Sequence, residues 1–312
     1  MNREKAIAVA ETTATALLWG TSFPVIGYGI RLGLDPKLFV FLRFATAVPV
    51  MLVITRLLGR PVLANLRSRP VWILGFLNAV GFVSQFLGQA YTDASSAALL
   101  VNLSVLVAAI GSASLLRERF TKTKLLGTAL AILGILLLTT RGDFGGLARG
   151  QLLGDALYLV SATTWGIYII YNKLKSDQTK WDPVGVTSSI ILVTAIFTSP
   201  VLVFTAQSGT SLSVADWLII GYTALLNTAL PFTLYQLGIR FLSATSSAIV
   251  LLLEIVTAVV ISVEFLGELL NLVSLFGALS ILLSILLVSG AEIGGKSLSV
   301  PDSKSSAARQ VP

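Results

Sequence analysis

Apolar runs of about twenty residues, separated by short polar links, follow one another through nearly the whole chain. At ~1.5 Å per helical residue, about 20 residues cross the ~30 Å hydrocarbon layer of a bilayer. The pattern therefore predicts an all-α integral membrane protein with helices over 6–30, 38–58, 71–91, 94–116, 123–140, 151–172, 184–206, 216–240, 244–267 and 271–290. The first run continues well past any plausible cleavage site, so it is read as a retained helix rather than a signal peptide. The tail from 293 to 312 is small, polar and rich in Ser, and is expected to be disordered and cytoplasmic.

Two of these runs read as copies. Ala94 to Glu118 and Ala244 to Glu268 both open on small Ser, Thr and Ala residues and close on LLRE or FLGE, with the closing glutamates 150 positions apart. Trp19-Gly20 recurs as Trp165-Gly166, and Asp35-Pro36 recurs as Asp182-Pro183. The repeat divides the chain into units 1–145 and 146–292. Five helices is an odd number, so the second unit sits upside down relative to the first. Inverted repeats of this kind build alternating-access transporters with a site at the midplane.

Composition narrows the class. The chain is 55% hydrophobic and 12% charged, against roughly 25% charged residues in soluble domains. Its +7 charge does not imply nucleic acid, because the basic residues lie in links between apolar runs. They concentrate in alternate links, such as RERFTKTK after the fourth run, while the opposite side holds Arg31, Lys37, Arg141 and Arg149. The positive-inside rule then puts both termini in the cytoplasm, with the protein in the plasma membrane. There is no Cys and no His, which removes thiolate chemistry and the usual zinc ligand; no metal or cofactor is expected. The pattern GxxxxGK[ST] occurs once, from Gly290 to Ser297, but it follows the last apolar run and enters the polar tail instead of joining a strand to a helix, so it is not read as a nucleotide loop and ATP drive is not encoded here.

Leu18-Trp19-Gly20-Thr21-Ser22, Leu42-Arg43-Phe44, Arg117-Glu118-Arg119, Leu253-Glu254 and Leu266-Gly267-Glu268 together resemble the EamA group of the drug/metabolite transporter superfamily. The resemblance covers about residues 6–290 and implies ten transmembrane helices as two inverted five-helix EamA repeats, and the role of an exporter. Members often carry Pro thirteen residues before the closing Glu. Val105 and Ile255 stand there in this chain, which removes the usual cause of a helix break.

Polar residues inside apolar runs are the candidate chemistry, since a charge at mid-bilayer costs at least ~2.5–3.5 kcal/mol unless paired or wetted. Glu254 is the candidate for proton coupling or for binding a substrate amine; a buried carboxyl satisfied by a hydroxyl or by Arg43 is the structural alternative. Glu11 is a gate or proton acceptor, or it snorkels to the interface. Arg43 either holds a substrate carboxylate or pairs with a Glu across the bundle. Asn78, Phe82, Gln85 and Gln89 share one face of the third helix. With Trp19, Asn102, Trp165, Tyr168, Asn227 and Tyr235 they compose a cavity with aromatic walls and amide handles. Interhelical hydrogen bonding is the bland reading of the same amides. Gly127, Gly134 and Gly277 mark close packing, as scaffold or as a homodimer contact.

The expected function is a secondary transporter of a small metabolite such as an amino acid, amine or nucleoside, with protons as a candidate coupling ion. A non-transporting scaffold or a channel is the alternative. An enzyme is not expected, because no nucleophile, base or metal grouping occurs.

Overall fold

The computed structural model describes residues 2–89, 91, 100–118, 120–143, 152–179, 181–205, 212–266 and 271–294. The boundary expected near residue 145, the 92–99 part of the first repeated stretch, Gly267-Glu268 and the tail from 295 lie outside them. Among the described residues all regular structure is helical. In chain order α1 is Arg3–Arg31, α2 Pro36–Leu57, the short α3 Leu63–Leu66, α4 Arg69–Gly88 and α5 Ser104–Leu115. Then come α6 Lys122–Thr140, α7 Leu152–Gln178, α8 Pro183–Thr198, α9 Val214–Ala224 and α10 Leu230–Gly238. The chain ends its helices with α11 Ala244–Leu251, α12 Leu253–Leu266 and α13 Leu272–Gly294. Among the described residues, eight helical stretches are long and apolar enough to cross a bilayer, and Leu100–Leu115 is a shorter apolar helix. The chain is a multi-pass membrane protein.

The recurring Asp-Pro pairs are helix starts. Asp35 accepts from the Lys37 amide at 2.7 Å and Asp182 from the Gly185 amide at 2.7 Å. In each case the following Pro occupies the first turn, where no donor is missed. Asp182 also lies 3.3 Å from Arg60 Nη1.

The repeated stretches do break, although neither carries the Pro. Leu103 (φ −61°, ψ −13°) and Leu252 (φ −60°, ψ −14°) adopt the same tight turn. Leu103 N donates to Leu100 O at 3.2 Å and Leu252 N to Ile249 O at 3.1 Å, an i→i−3 pattern that interrupts the α-helical ladder. Opposite each break a glycine lets another helix press in. A Cβ on Gly20 would sit 2.6 Å from Glu254 O and 2.5 Å from Thr257 Cβ; one on Gly166 would sit 3.1 Å from Ser104 O and 2.5 Å from Val107 Cβ. Ser104 and Val107 precede Glu254 and Thr257 by the repeat offset. The Trp-Gly repeat is thus the crossing of α1 over α12 and of α7 over α5.

α4 packs between α7 and α8, α1 against α10 and α12, and α6 pairs along its length with α13. That last pairing uses the glycine stripe. A Cβ on Gly277 would fall 2.5 Å from Leu138 N and 2.9 Å from Gly134 O, and Ser284 Oγ donates to Gly127 O at 2.6 Å. The stripe packs inside the chain, the scaffold use of these glycines.

Gly277→Leu should destabilise by roughly 1–3 kcal/mol through overpacking, seen as a lower unfolding temperature in detergent. Gly290→Ala, whose Cβ meets nothing within 4 Å, should not lower that temperature, because Ala is the better helix former.

Candidate functional site

The site begins with a backbone defect. Pro231 has no N–H, so the Asn227 carbonyl four residues earlier lacks its helical donor. Residues Leu225–Ala229 respond by forming a π-helical turn between α9 and α10, with Thr228 Oγ1 reaching back five residues to Thr223 O at 3.0 Å. Two side chains from other helices supply the missing donors. Trp19 Nε1 donates to Asn227 O at 3.1 Å and Arg43 Nη2 at 2.6 Å, while Arg43 Nε donates to Thr228 Oγ1 at 2.7 Å. The Asn227 side chain then donates to Leu18 O and to Thr21 Oγ1. Arg43, 1% exposed, is held with its guanidinium 4.7 Å from the Phe82 ring centroid. Hydrogen bonds to a charged group are worth ~1.5–3 kcal/mol each, enough together to offset its place inside the membrane. Among the described residues no ion pair joins Arg43 to Glu254 or Glu11. The expected cross-bundle pair is replaced by the π-turn.

Arg43 borders a cavity of about 80 Å³, room for several waters at ~10–15 Å³ each. Trp19, Phe82 and Trp165 form its aromatic wall, with Phe82 and Trp165 edge to face at 5.0 Å and Trp19 6.3 Å from Trp165. Gln85 and Asn102 add amides, and Glu254 adds a carboxylate. Glu254 stands in the first turn of α12, just past the break at Leu252, where the helix N-terminus favours negative charge by ~0.3–1 kcal/mol. Among the described residues no hydrogen bond or ion pair engages this carboxylate. Ser104 lines the cavity at the equivalent position of the first repeat.

The remaining candidates lie elsewhere. Asn78 turns to α8, where its Nδ2 donates to Thr194 Oγ1 at 3.0 Å. Gln89 is exposed beyond the end of α4. The face predicted for the third helix splits because only Phe82 and Gln85, at its middle, reach the cavity. Tyr168 and Tyr235 stack at 6.4 Å behind Trp165, and Asn227 supports Arg43 from the π-turn. Glu11 is away from the cavity, with Arg240 as its charged neighbour. Sequence reading missed Phe23 and Ser104 as lining residues; Ser104 could have been found by laying the two repeats over each other at Glu254.

The EamA-like transporter family matches the sequence twice, over residues 7–140 and 152–290. The chain belongs to that family. This EamA transporter is 25% identical to the uncharacterized transporter YyaM of Bacillus subtilis (strain 168) over 88% of this chain and 91% of that one. It is 30% identical to the uncharacterized transporter YdfC of the same organism, over 83% of each. A protein of Streptantibioticus cattleyicolor named a probable terminal-alkyne amino-acid exporter is 24% identical, over 92% of this chain and 95% of its own. One solved structure superposes with a TM-score of 0.75 at 17% identity, covering 90% of this chain and 95% of that chain, which shows a shared fold. The family and these named relatives are transporters rather than enzymes.

Arg43→Lys keeps the charge but loses the fork that spans Thr228 and Asn227. The variant should lose about 1–3 kcal/mol of stability, measured as a lower unfolding temperature in detergent. An unchanged temperature would mean that the π-turn does not depend on Arg43.

Proposed function

We propose that this EamA transporter is a secondary carrier, an exporter of a small zwitterionic metabolite of the amino-acid type. The observation that carries the reading is a fixed cation and a carboxylate with no partner among the described residues, both bordering one small aromatic cavity. Arg43 retains Nη1 outside its two hydrogen bonds and offers it to a substrate carboxylate. Glu254 receives the ammonium, and Trp19, Trp165 and Phe82 receive the apolar side chain and add cation–π attraction. An amine would engage Glu254 alone, and a nucleoside would leave both charges without a complement. The volume favours a molecule of a few heavy atoms over the occupants of 300–1,000 Å³ drug-sized pockets. The name of the Streptantibioticus relative points the same way.

In this reading ten helices form two inverted five-helix units, 1–145 and 146–292, followed by the tail 293–312. Both termini are cytoplasmic in the plasma membrane, as the basic links indicate. The cavity sits at the midplane and opens to the two sides in turn. Glu254 exchanges a proton for the substrate ammonium, which couples export to the proton gradient.

Purified protein in proteoliposomes should accumulate radiolabelled amino acids in response to an imposed pH gradient. Glu254→Gln should lower that gradient-driven accumulation at least about tenfold, ~1.4 kcal/mol of coupling, while leaving the protein monodisperse. Gradient-driven accumulation equal to wild type in Glu254→Gln would sink the coupling role.

A further inference from the structure

Between the cavity and the face carrying the N-terminus lies α11, eight residues long and buried along its whole length. Its inner end forms part of the cavity through Ala248 and Leu251. Its outer end is fixed in an ion network. Lys5 Nζ lies 3.2 Å from Glu292 Oε2, and Lys124 Nζ lies 3.5 Å from both Glu292 Oε1 and Glu118 Oε2. Glu118 Oε1 accepts from the Ala244 amide at 2.6 Å, Ser246 Oγ donates to Glu292 Oε1 at 2.7 Å, and Lys124 Nζ donates to Ser243 Oγ at 2.8 Å. The charges come from the start of α1, the link after α5, the start of α6 and the end of α13. Their side chains are between 9% and 21% exposed, so this network is far less screened than a surface pair.

A second observation lies beside α11. Tyr168 Oη, Gln236 Nε2 and both amide atoms of Asn172 are buried without a protein partner, and the buried hydroxyls of Tyr235 and Ser247 have only each other. The Tyr168 and Tyr235 rings stack, and Lys173 Nζ donates to Ile239 O at 3.2 Å, which brings the ends of α7 and α10 together. Folded proteins leave few buried polar groups unpaired. Such groups on two neighbouring helices, beside a hydroxyl pair shared with α11, are costly in a region that stays sealed and natural in one that takes up water in another state.

We infer that α11 is the gate on the N-terminal face, locked by the Glu118–Lys124–Glu292–Lys5 network, and that these unpaired groups line the passage its release opens. The inference rests on the carrier reading, because a carrier must open one cavity to both faces in turn. The network closes this face in the structure, and breaking it shifts the population toward the opposite state.

The chain has no Cys, so a single introduced thiol reports accessibility without background. Ser247→Cys, buried on α11, and separately Gln85→Cys, in the cavity near the far end of α4, are labelled with a membrane-impermeant thiol reagent. Each is presented from either face, in inside-out and right-side-out vesicles. Adding Glu292→Gln or Lys124→Met should raise labelling of Ser247→Cys from the N-terminal face about tenfold, equivalent to ~1.4 kcal/mol. Labelling of Gln85→Cys from the opposite face should fall in the same variants. Unchanged labelling at Ser247→Cys overturns the gate, as does faster labelling at both sites, which would mean loosening of the bundle. The assay needs no substrate, so its failure leaves the uptake result standing, and a failed uptake assay leaves this one interpretable.

Discussion

The close approach of α1 to α12 at Gly20, and of α7 to α5 at Gly166, is the constraint on which the rest of the structure depends. With a Cβ at either position the helix would meet a backbone carbonyl and a β-branched side chain. Because the glycines allow contact, the tryptophans beside them are delivered to the cavity wall from two directions. The same contacts face the turns at Leu103 and Leu252, where the crossed helices are broken. One dipeptide repeated in two halves therefore sets the helix crossing, aims the aromatic wall and fronts the breaks that leave Ser104 and Glu254 facing open space.

Arg43 serves a second defect of the backbone. The missing donor of Pro231 creates a free carbonyl at Asn227, and membrane interiors do not tolerate free carbonyls. Trp19 and Arg43 satisfy it, so two of the residues bordering the cavity are also the residues that hold α9 and α10 in register with α1 and α2. This double duty explains how a guanidinium can remain 1% exposed within the membrane with no carboxylate partner among the described residues. It also makes the same two side chains part of the cavity wall and of the seat of the π-turn.

Much of this was legible in the sequence. Helix positions follow from apolar run length, the Asp-Pro repeats announce two helix starts, and Trp19, Arg43, Phe82, Gln85, Asn102, Trp165 and Glu254 were all singled out by polarity, aromatic character or repetition. Other features were not. Asn78 and Gln89 share a helical face with Gln85, but periodicity does not say which neighbour each turn of a helix meets. The breaks at Leu103 and Leu252 have no Pro to mark them, and each faces a glycine far away in sequence. The ion network around Glu292 joins residues up to 287 positions apart, which no local pattern reveals. The Asn227-to-Pro231 spacing was visible and carried a physical meaning, a carbonyl robbed of its donor, that reading for polarity alone passed over.

The cavity unites a cation, a carboxylate and an aromatic wall, and a zwitterion would bridge the first two. Isothermal titration of the detergent-solubilised protein with an apolar amino acid, its carboxamide and its N-acetyl derivative tests this directly. The free amino acid should bind, and each derivative, lacking one charge, should bind at least about tenfold more weakly, ~1.4 kcal/mol per lost contact. Equal affinity for all three would contradict a site built on Arg43 and Glu254.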